Sequence, residues 1–332
     1  MEQQTPRQRR FGSRGTATGR QPTRGRVRAM ALAAGAAALA VVLAAGIYSS
    51  AEARSTAVNP TAANPAASAA PSAAPTAGAS SSPSASPDAS AQASGPAPGT
   101  VDEALDARIQ AILGANSQYE IGVALVDLSQ APGTPDVHEY GVREEFVAAS
   151  TAKVLAAAAY YHLVETGAAS LDDPLGSYTA GFQLREMIQQ SDNDSWSLIM
   201  DAVGHEQLTE YAASLGVSYD PETNALTPAE MATILAGVYS GTLLTAVHTA
   251  QLLSYMQDTN YETLIPAAVP EGITVFHKYG LLDDELHDAA VLAQGNTAYA
   301  LVIYTKGQDL SDVPERTEVI HELTQAVAGA LF

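Results

Sequence analysis

From residue 101 onward the chain alternates between runs of helical and strand period. Residues 101–114 place Val101, Leu105, Ile109 and Leu113 on one helical face. Thr100-Val101-Asp102-Glu103 ahead of them has the form of a capping box, with Thr100 as the expected cap. Residues 119–128 alternate as a strand, and the turn-rich stretch 131–135 predicts a hairpin to a second strand at 137–140. A helix is expected to start at Ser150 and run to about residue 167. Shorter helices follow at 184–190, 195–203, 206–215, 228–240 and 243–257. The one at 228 is marked by Thr227, Pro228 and Glu230 as cap, first position and box. Three apolar runs, 273–278, 286–293 and 298–305, separated by polar turns, predict an antiparallel meander. Residues 314–331 close the chain as a helix with Val319, Ile320, Leu323, Val327 and Leu331 inward. Strands and helices are segregated, which gives an α+β fold: an antiparallel sheet flanked by N- and C-terminal helices, with an all-helical lobe inserted.

The first hundred residues follow different rules. Residues 1–28 carry eight arginines and one acid, and residues 29–48 are an unbroken apolar run. A basic flank before about 20 apolar residues predicts a membrane span whose arginines stay cytoplasmic, with the rest exported. Ala51-Glu52-Ala53 has the small-x-small form of a cleavage site, so a secreted product is the alternative. Residues 49–99 are almost wholly Ala, Ser, Pro, Gly and Thr and predict a disordered tether. The expected organisation is therefore 1–28 cytoplasmic, 29–48 anchor, 49–99 linker and 100–332 globular.

Charge narrows the choice of partner. The residues after 100 hold seven of the 16 basic residues and 33 of the 36 acidic ones, a formal charge of −26. Such a domain repels nucleic acid. The chain has no cysteine, which excludes disulfides and a thiol nucleophile. His321-Glu322 lacks the second histidine of a zinc-protease motif, and there is no Gly-rich phosphate loop. His277 and His287 fall on adjacent predicted strands and read as packed or hydrogen-bonded rather than metal-binding. No metal or cofactor is implied, and the domain is expected to be monomeric.

The candidate chemistry is a serine with a lysine one turn away. In Ser150-Thr151-Ala152-Lys153, helical spacing brings residues i and i+3 to one face. An amine there can take the proton that makes a serine nucleophilic. Alone, such a pair is a weak signal and reads first as a capped helix with a solvated lysine. Two later stretches answer it: Ser191-Asp192-Asn193 in a break between helices, and Lys278-Tyr279-Gly280 on a strand. This ordered set resembles the motifs of serine β-lactamases and penicillin-binding proteins, class A β-lactamases above all. The flanks at 146–154, 184–188, 227–232 and 287–305 agree with it.

The resemblance implies roles. Ser150 would be acylated, with Lys153 as proton acceptor. Ser191 would pass a proton to the departing nitrogen. Asn193 would bind the substrate amide and seat Lys153, while Lys278, with Tyr279 and Gly280, would face a substrate carboxylate. The backbone N–H groups of Ser150 and Leu281 would form an oxyanion hole. The substrate would be a β-lactam or a peptidoglycan-like peptide. Two departures stand out. Tyr279 replaces the usual Thr or Ser, and the stretch 216–226 is short for the loop that carries the family's deacylating glutamate. Glu222 is the candidate for that role, in a segment with altered spacing. The resemblance thus leaves three expectations: a β-lactamase, a penicillin-binding D-Ala-D-Ala carboxypeptidase, or a wall-facing binding domain on the same fold.

Overall fold

The computed structural model describes residues 101–129 and 136–332. The expected anchor, tether and first hairpin turn lie outside them. Among the described residues no helix is long and apolar enough to cross a membrane.

Helix α1 (Glu103–Ala115) leads into β1 (Glu120–Asp127) and β2 (Val137–Gly141). Its cap is Asp102, not Thr100: the Asp102 carboxylate accepts from the N–H groups of Ala104 and Leu105. Asp102 directly precedes Glu103, and its charged acceptor takes the capping position. The two-residue strand β3 (Phe146–Val147) then precedes a 3₁₀ turn (Ala149–Ala152) and α2 (Lys153–Glu165). From Lys153 to Tyr161 every residue of α2 is buried, as expected of a helix apolar all round at the centre of a lobe. A small hairpin, β4 (Pro174–Leu175) and β5 (Tyr178–Thr179), leads to α3 (Ala180–Gln189), α4 (Asn193–Val203) and α5 (His205–Ser214). Strand β6 (Ala225–Leu226), α6 (Pro228–Tyr239), α7 (Ala246–Tyr255) and the single turn α8 (Ile265–Ala268) complete the helical insert. The Thr227–Glu230 capping box forms as predicted.

The chain ends in β7 (Thr274–Leu282), β8 (Glu285–Gln294), β9 (Thr297–Lys306) and α9 (Val313–Leu331). The sheet order is β2-β1-β9-β8-β7, antiparallel throughout. One face, with Leu286, Ala290, Leu292, Leu301 and Ile303, packs on α1 and α9. The other, with Ala289, Val291, Val302 and Tyr304, packs on the helical lobe. Close packing of α6 on the sheet needs Gly122, where a Cβ would run into Val142 O and Pro228. The predicted α+β layout holds. The expected end of β7 does not: the strand continues past Lys278 to Leu282, so the whole Lys-Tyr-Gly stretch is strand.

Both histidines are buried and hydrogen-bonded, as expected, but they do not face each other. His277 pairs with Ala290 and His287 with Gly280, an odd offset that puts the rings on opposite faces. Among the described residues no three His, Asp or Glu side chains converge as a metal site.

Candidate active site

Ser150 sits inside the 3₁₀ turn rather than at a helix tip, and Lys153 is the first residue of α2. The residue before the serine, Ala149, has φ 49, in the left-handed region. Several bonds hold it there. Thr151 Oγ1 donates to Ala148 O (2.7 Å) and meets Tyr304 OH at 2.5 Å. Ala148 N donates to Asn224 O (2.8 Å), and Asn224 Nδ2 donates to Ala149 O (3.1 Å). Strand β3 pairs with β6, Phe146 opposite Leu226. His287 Nδ1 accepts from Thr305 N, so its proton is on Nε2, which donates to Val147 O (3.0 Å). Complete burial drives the His287 pKa down to about 4, which keeps the ring neutral.

The amine of Lys153 is buried and turned toward the 191–193 loop. It donates to Ser191 O (2.7 Å) and Asn193 Oδ1 (2.7 Å) and lies 3.5 Å from Ser191 Oγ. Burial lowers its pKa to about 8, with Asp192 pulling the other way. Asp192 caps α4 by accepting from Ser195 N. Ser191 itself has φ 54. Lys278, on the edge strand β7, reaches across to the same hydroxyl: its Nζ donates to Ser191 Oγ (2.9 Å) and to Tyr279 O (2.9 Å). Burial and the charge of Lys153 push the Lys278 pKa down. Two lysines and one serine hydroxyl are thus one connected proton path.

Gly280 brings β7 against Ser150. A Cβ there would lie 3.1 Å from Ala148 O and Ala149 Cβ and 3.2 Å from Ser150 N. On this edge strand His277 N bonds outward to Met256 O. N–H groups alternate in direction along an antiparallel strand, so Tyr279 and Leu281 also direct theirs outward. The Leu281 N–H therefore leaves the sheet edge one residue from the closest approach to Ser150. Gly280→Val is expected to cut the acylation rate roughly tenfold or more by forcing these two segments apart. Acylation measured by intact mass checks this, and an unchanged rate would remove Gly280 from the site.

Glu222 is not brought into this group. Its side chain is 80% exposed and pairs with His205 Nδ1 (3.2 Å) at the surface. The short 217–226 loop is stitched to the nucleophile segment through Asn224, which leaves Glu222 on the outer side of the turn. Among the described residues no carboxylate hydrogen-bonds Ser150, Lys153, Ser191 or Lys278.

Behind Lys278 lies a charged chain that sequence reasoning did not assemble. Asp288 accepts from His277 Nδ1 (2.9 Å) and from Ile265 N (3.0 Å), and both His277 and Asp288 are buried. His277 Nε2 donates to Thr259 Oγ1 (2.9 Å) and Glu262 Oε1 (3.1 Å). Burial opposes charge on this ring, but Asp288 and Glu262 outweigh it and raise the His277 pKa to about 9. Burial likewise opposes charge on Glu262, but bonds from His277 and Thr259 lower its pKa to about 2. The signal for this cluster was Asp288, a charge directly before the apolar run 289–293, which needs a partner if buried. Asn224 had a weaker signal, as one of the few residue types that tolerate its φ of 50.

The model of the β-lactamase enzyme family matches residues 104–331. The chain belongs to this family. A β-lactamase from Proteus vulgaris is 28% identical over 250 residues, which cover 64% of this chain and 90% of that protein. Among solved structures, PBP-A superposes with TM-score 0.62 at 23% identity, over 70% of this chain and 98% of the other. A β-lactamase from Desulfarculus baarsii gives TM-score 0.60 at 24% identity, over 69% and 98%. Both show the shared fold. The family member described here is a β-lactamase-like serine hydrolase, and the motifs named from its sequence sit together on the seam between sheet and lobe.

Proposed function

We propose that Ser150 is the nucleophile of an acyl-serine reaction on a β-lactam or a related peptide-like amide. The observation that carries this is the convergence of Lys153 and Lys278 on Ser191 Oγ, with Gly280 packed against Ser150 N. Ser150 Oγ attacks the carbonyl carbon and forms the new C–O bond, while its proton passes to neutral Lys153. The carbonyl oxygen gathers charge between the N–H groups of Ser150 and Leu281. The C–N bond then breaks, and the nitrogen takes a proton from Lys153 through the Ser191 hydroxyl. Asn193 holds the Lys153 amine in place and is positioned to meet the substrate amide. Addition of water to the ester would free Ser150 and release the acid.

Among the described residues no carboxylate hydrogen-bonds Ser150 or the groups around it to assist that last step, which favours a long-lived acyl-enzyme, the behaviour of a penicillin-binding protein. The decisive experiment incubates the protein with a chromogenic cephalosporin at saturating concentration and follows colour and intact mass together. A mass adduct that forms and persists, and is absent in Ser150→Ala, supports the reading. Fast turnover without an adduct would instead indicate an efficient β-lactamase. The absence of both, with no cleavage of D-Ala-D-Ala peptides, would overturn acyl-serine chemistry. Because Lys153 must be neutral to accept the proton, the acylation rate should rise about tenfold per pH unit below pH 8 and level off above it. A rate flat from pH 6 to 9 would remove Lys153 as the base.

We also propose that residues 29–48 hold the domain on the outer side of a membrane and that residues 49–99 act as its tether. Fractionation of cells expressing the full chain checks this.

A further inference from the structure

The amine of Lys278 is the group that would meet an anionic substrate, and it is closed off. Lys278 is 0% exposed. An ammonium has three donors. One goes to Ser191 Oγ and one to Tyr279 O, each at 2.9 Å. The remaining face is covered by the Tyr279 ring, whose centroid lies 4.1 Å from Nζ. A cation over an aromatic face is held there electrostatically.

The ring is itself fixed. It packs against Tyr261 with centroids 4.8 Å apart. Its hydroxyl donates to Asn260 Oδ1 (3.1 Å). Asn260 is anchored in turn, its N donating to Gln189 O (3.1 Å) and its Nδ2 to Gln190 O (2.8 Å). These carbonyls belong to the segment that leads into Ser191. Opening the ring would therefore break a chain of contacts that runs to the proton-relay loop. Three other cations are committed elsewhere: Arg316 to Asp312, Lys306 to Glu285 and Asp284, and Arg185 to Glu186 and the Phe182 ring. Beyond the ring, the end of β7 offers Leu281 and Leu282, 36% and 46% exposed. The cover over the amine itself is aromatic.

We propose that Tyr279 determines specificity by sealing Lys278, so that the site takes acyl substrates whose group at this end is uncharged and apolar rather than a carboxylate. The proposal rests on the acyl-serine reading and narrows it to a substrate class. A carboxylate brought here would meet a ring face, lose its hydration and gain no donor from Lys278. An ester or amide at the same place keeps the attack geometry without that cost. The overall formal charge of −26 after residue 100 works in the same direction.

The test compares benzylpenicillin with its methyl ester, which differ at the carboxylate alone. Acylation rates are taken from intact mass for the full chain, for Tyr279→Thr and for Tyr279→Phe, with thermal melts to check folding. The wild type should acylate faster with the ester. Tyr279→Thr, which uncovers one ammonium donor, should raise the acid-to-ester ratio about tenfold or more, the worth of one charge-assisted hydrogen bond. Tyr279→Phe keeps the ring and should keep the ester preference, so it carries the test if the threonine variant fails to fold. Acid preferred tenfold by the wild type, no change of ratio in Tyr279→Thr, or reversal in Tyr279→Phe would each overturn the proposal. Adducts from neither compound would overturn the acyl-serine reading and the proposal with it, an outcome distinct from adducts in the wrong ratio.

Discussion

Lys153→Ala should slow acylation of Ser150 by roughly 10²- to 10⁴-fold, the usual worth of a positioned general base. The structure argues for the large effect. The amine is buried, and its pKa is lowered to about 8, so a useful fraction is neutral near neutral pH. It is also the link between Asn193 and Ser191, and its loss leaves Asn193 Oδ1 and Ser191 O without their donor. Both the pull on the Ser150 proton and the order of the 191–193 loop should suffer. Single-turnover mass spectrometry across pH separates these effects. The variant should lose the rise toward pH 8 as well as the rate. A variant slowed equally at every pH, with the rise retained, would show that Lys153 only holds the loop.

The second large effect concerns stability. Asp288→Ala removes the carboxylate that accepts from both His277 and Ile265 N in a fully buried place. Breaking a buried ion pair by removing one partner costs about 3–5 kcal/mol. In a domain of this size that is a fall of roughly 10 °C in the thermal midpoint. The sign with pH follows from His277. Its folded pKa, about 9, lies above the ordinary value of 6.5. The stability it contributes is complete below about pH 6.5 and is lost as pH rises through about 9. Glu262 acts in the opposite sense: its contribution is present above about pH 4.5 and lost as pH falls toward about 2. Denaturant midpoints should therefore drop between pH 7 and 9 in the wild type and much less in Asp288→Ala. Parallel curves for the two proteins would mean that His277 is not charged in the fold.

What could be read from the sequence was local, or ordered along the chain. The Thr227–Glu230 box and the meander depend on spacing within a few residues, and both form. The Ser150, Ser191 and Lys278 motifs depend on order along the chain, and the fold draws them together, with Ser150 in a 3₁₀ turn rather than at a helix tip. What could not be read depends on which strands meet and in what register. A shift of one residue along β7 would exchange the faces of His277 and Lys278, so nothing short of the sheet could pair His277 with Asp288 or separate it from His287. The Glu222 expectation failed for a related reason. A loop of ten residues has room to send one side chain to the nucleophile segment, and hydrogen bonding selected Asn224. The Thr100 cap lost to Asp102 by two positions, a difference of the size that separates competing caps. The Tyr279 ring lies over the neighbouring lysine because β7 is an edge strand, whose side chains can curl around the free side.

Ala149 draws one more consequence from its φ of 49. A left-handed alanine carries about 1–2 kcal/mol of strain. Glycine would relieve that, and would return about 0.5–1 kcal/mol through the freedom it adds to the unfolded chain. The two effects oppose each other and leave at most about 1.5 kcal/mol in favour of glycine, so melting curves would not mark the exchange as damaging. The residue that sets the aim of Ser150 is therefore one whose loosening does not register as a loss of stability. A collection of variants screened by heat alone would retain changes at position 149 that alter the backbone before Ser150.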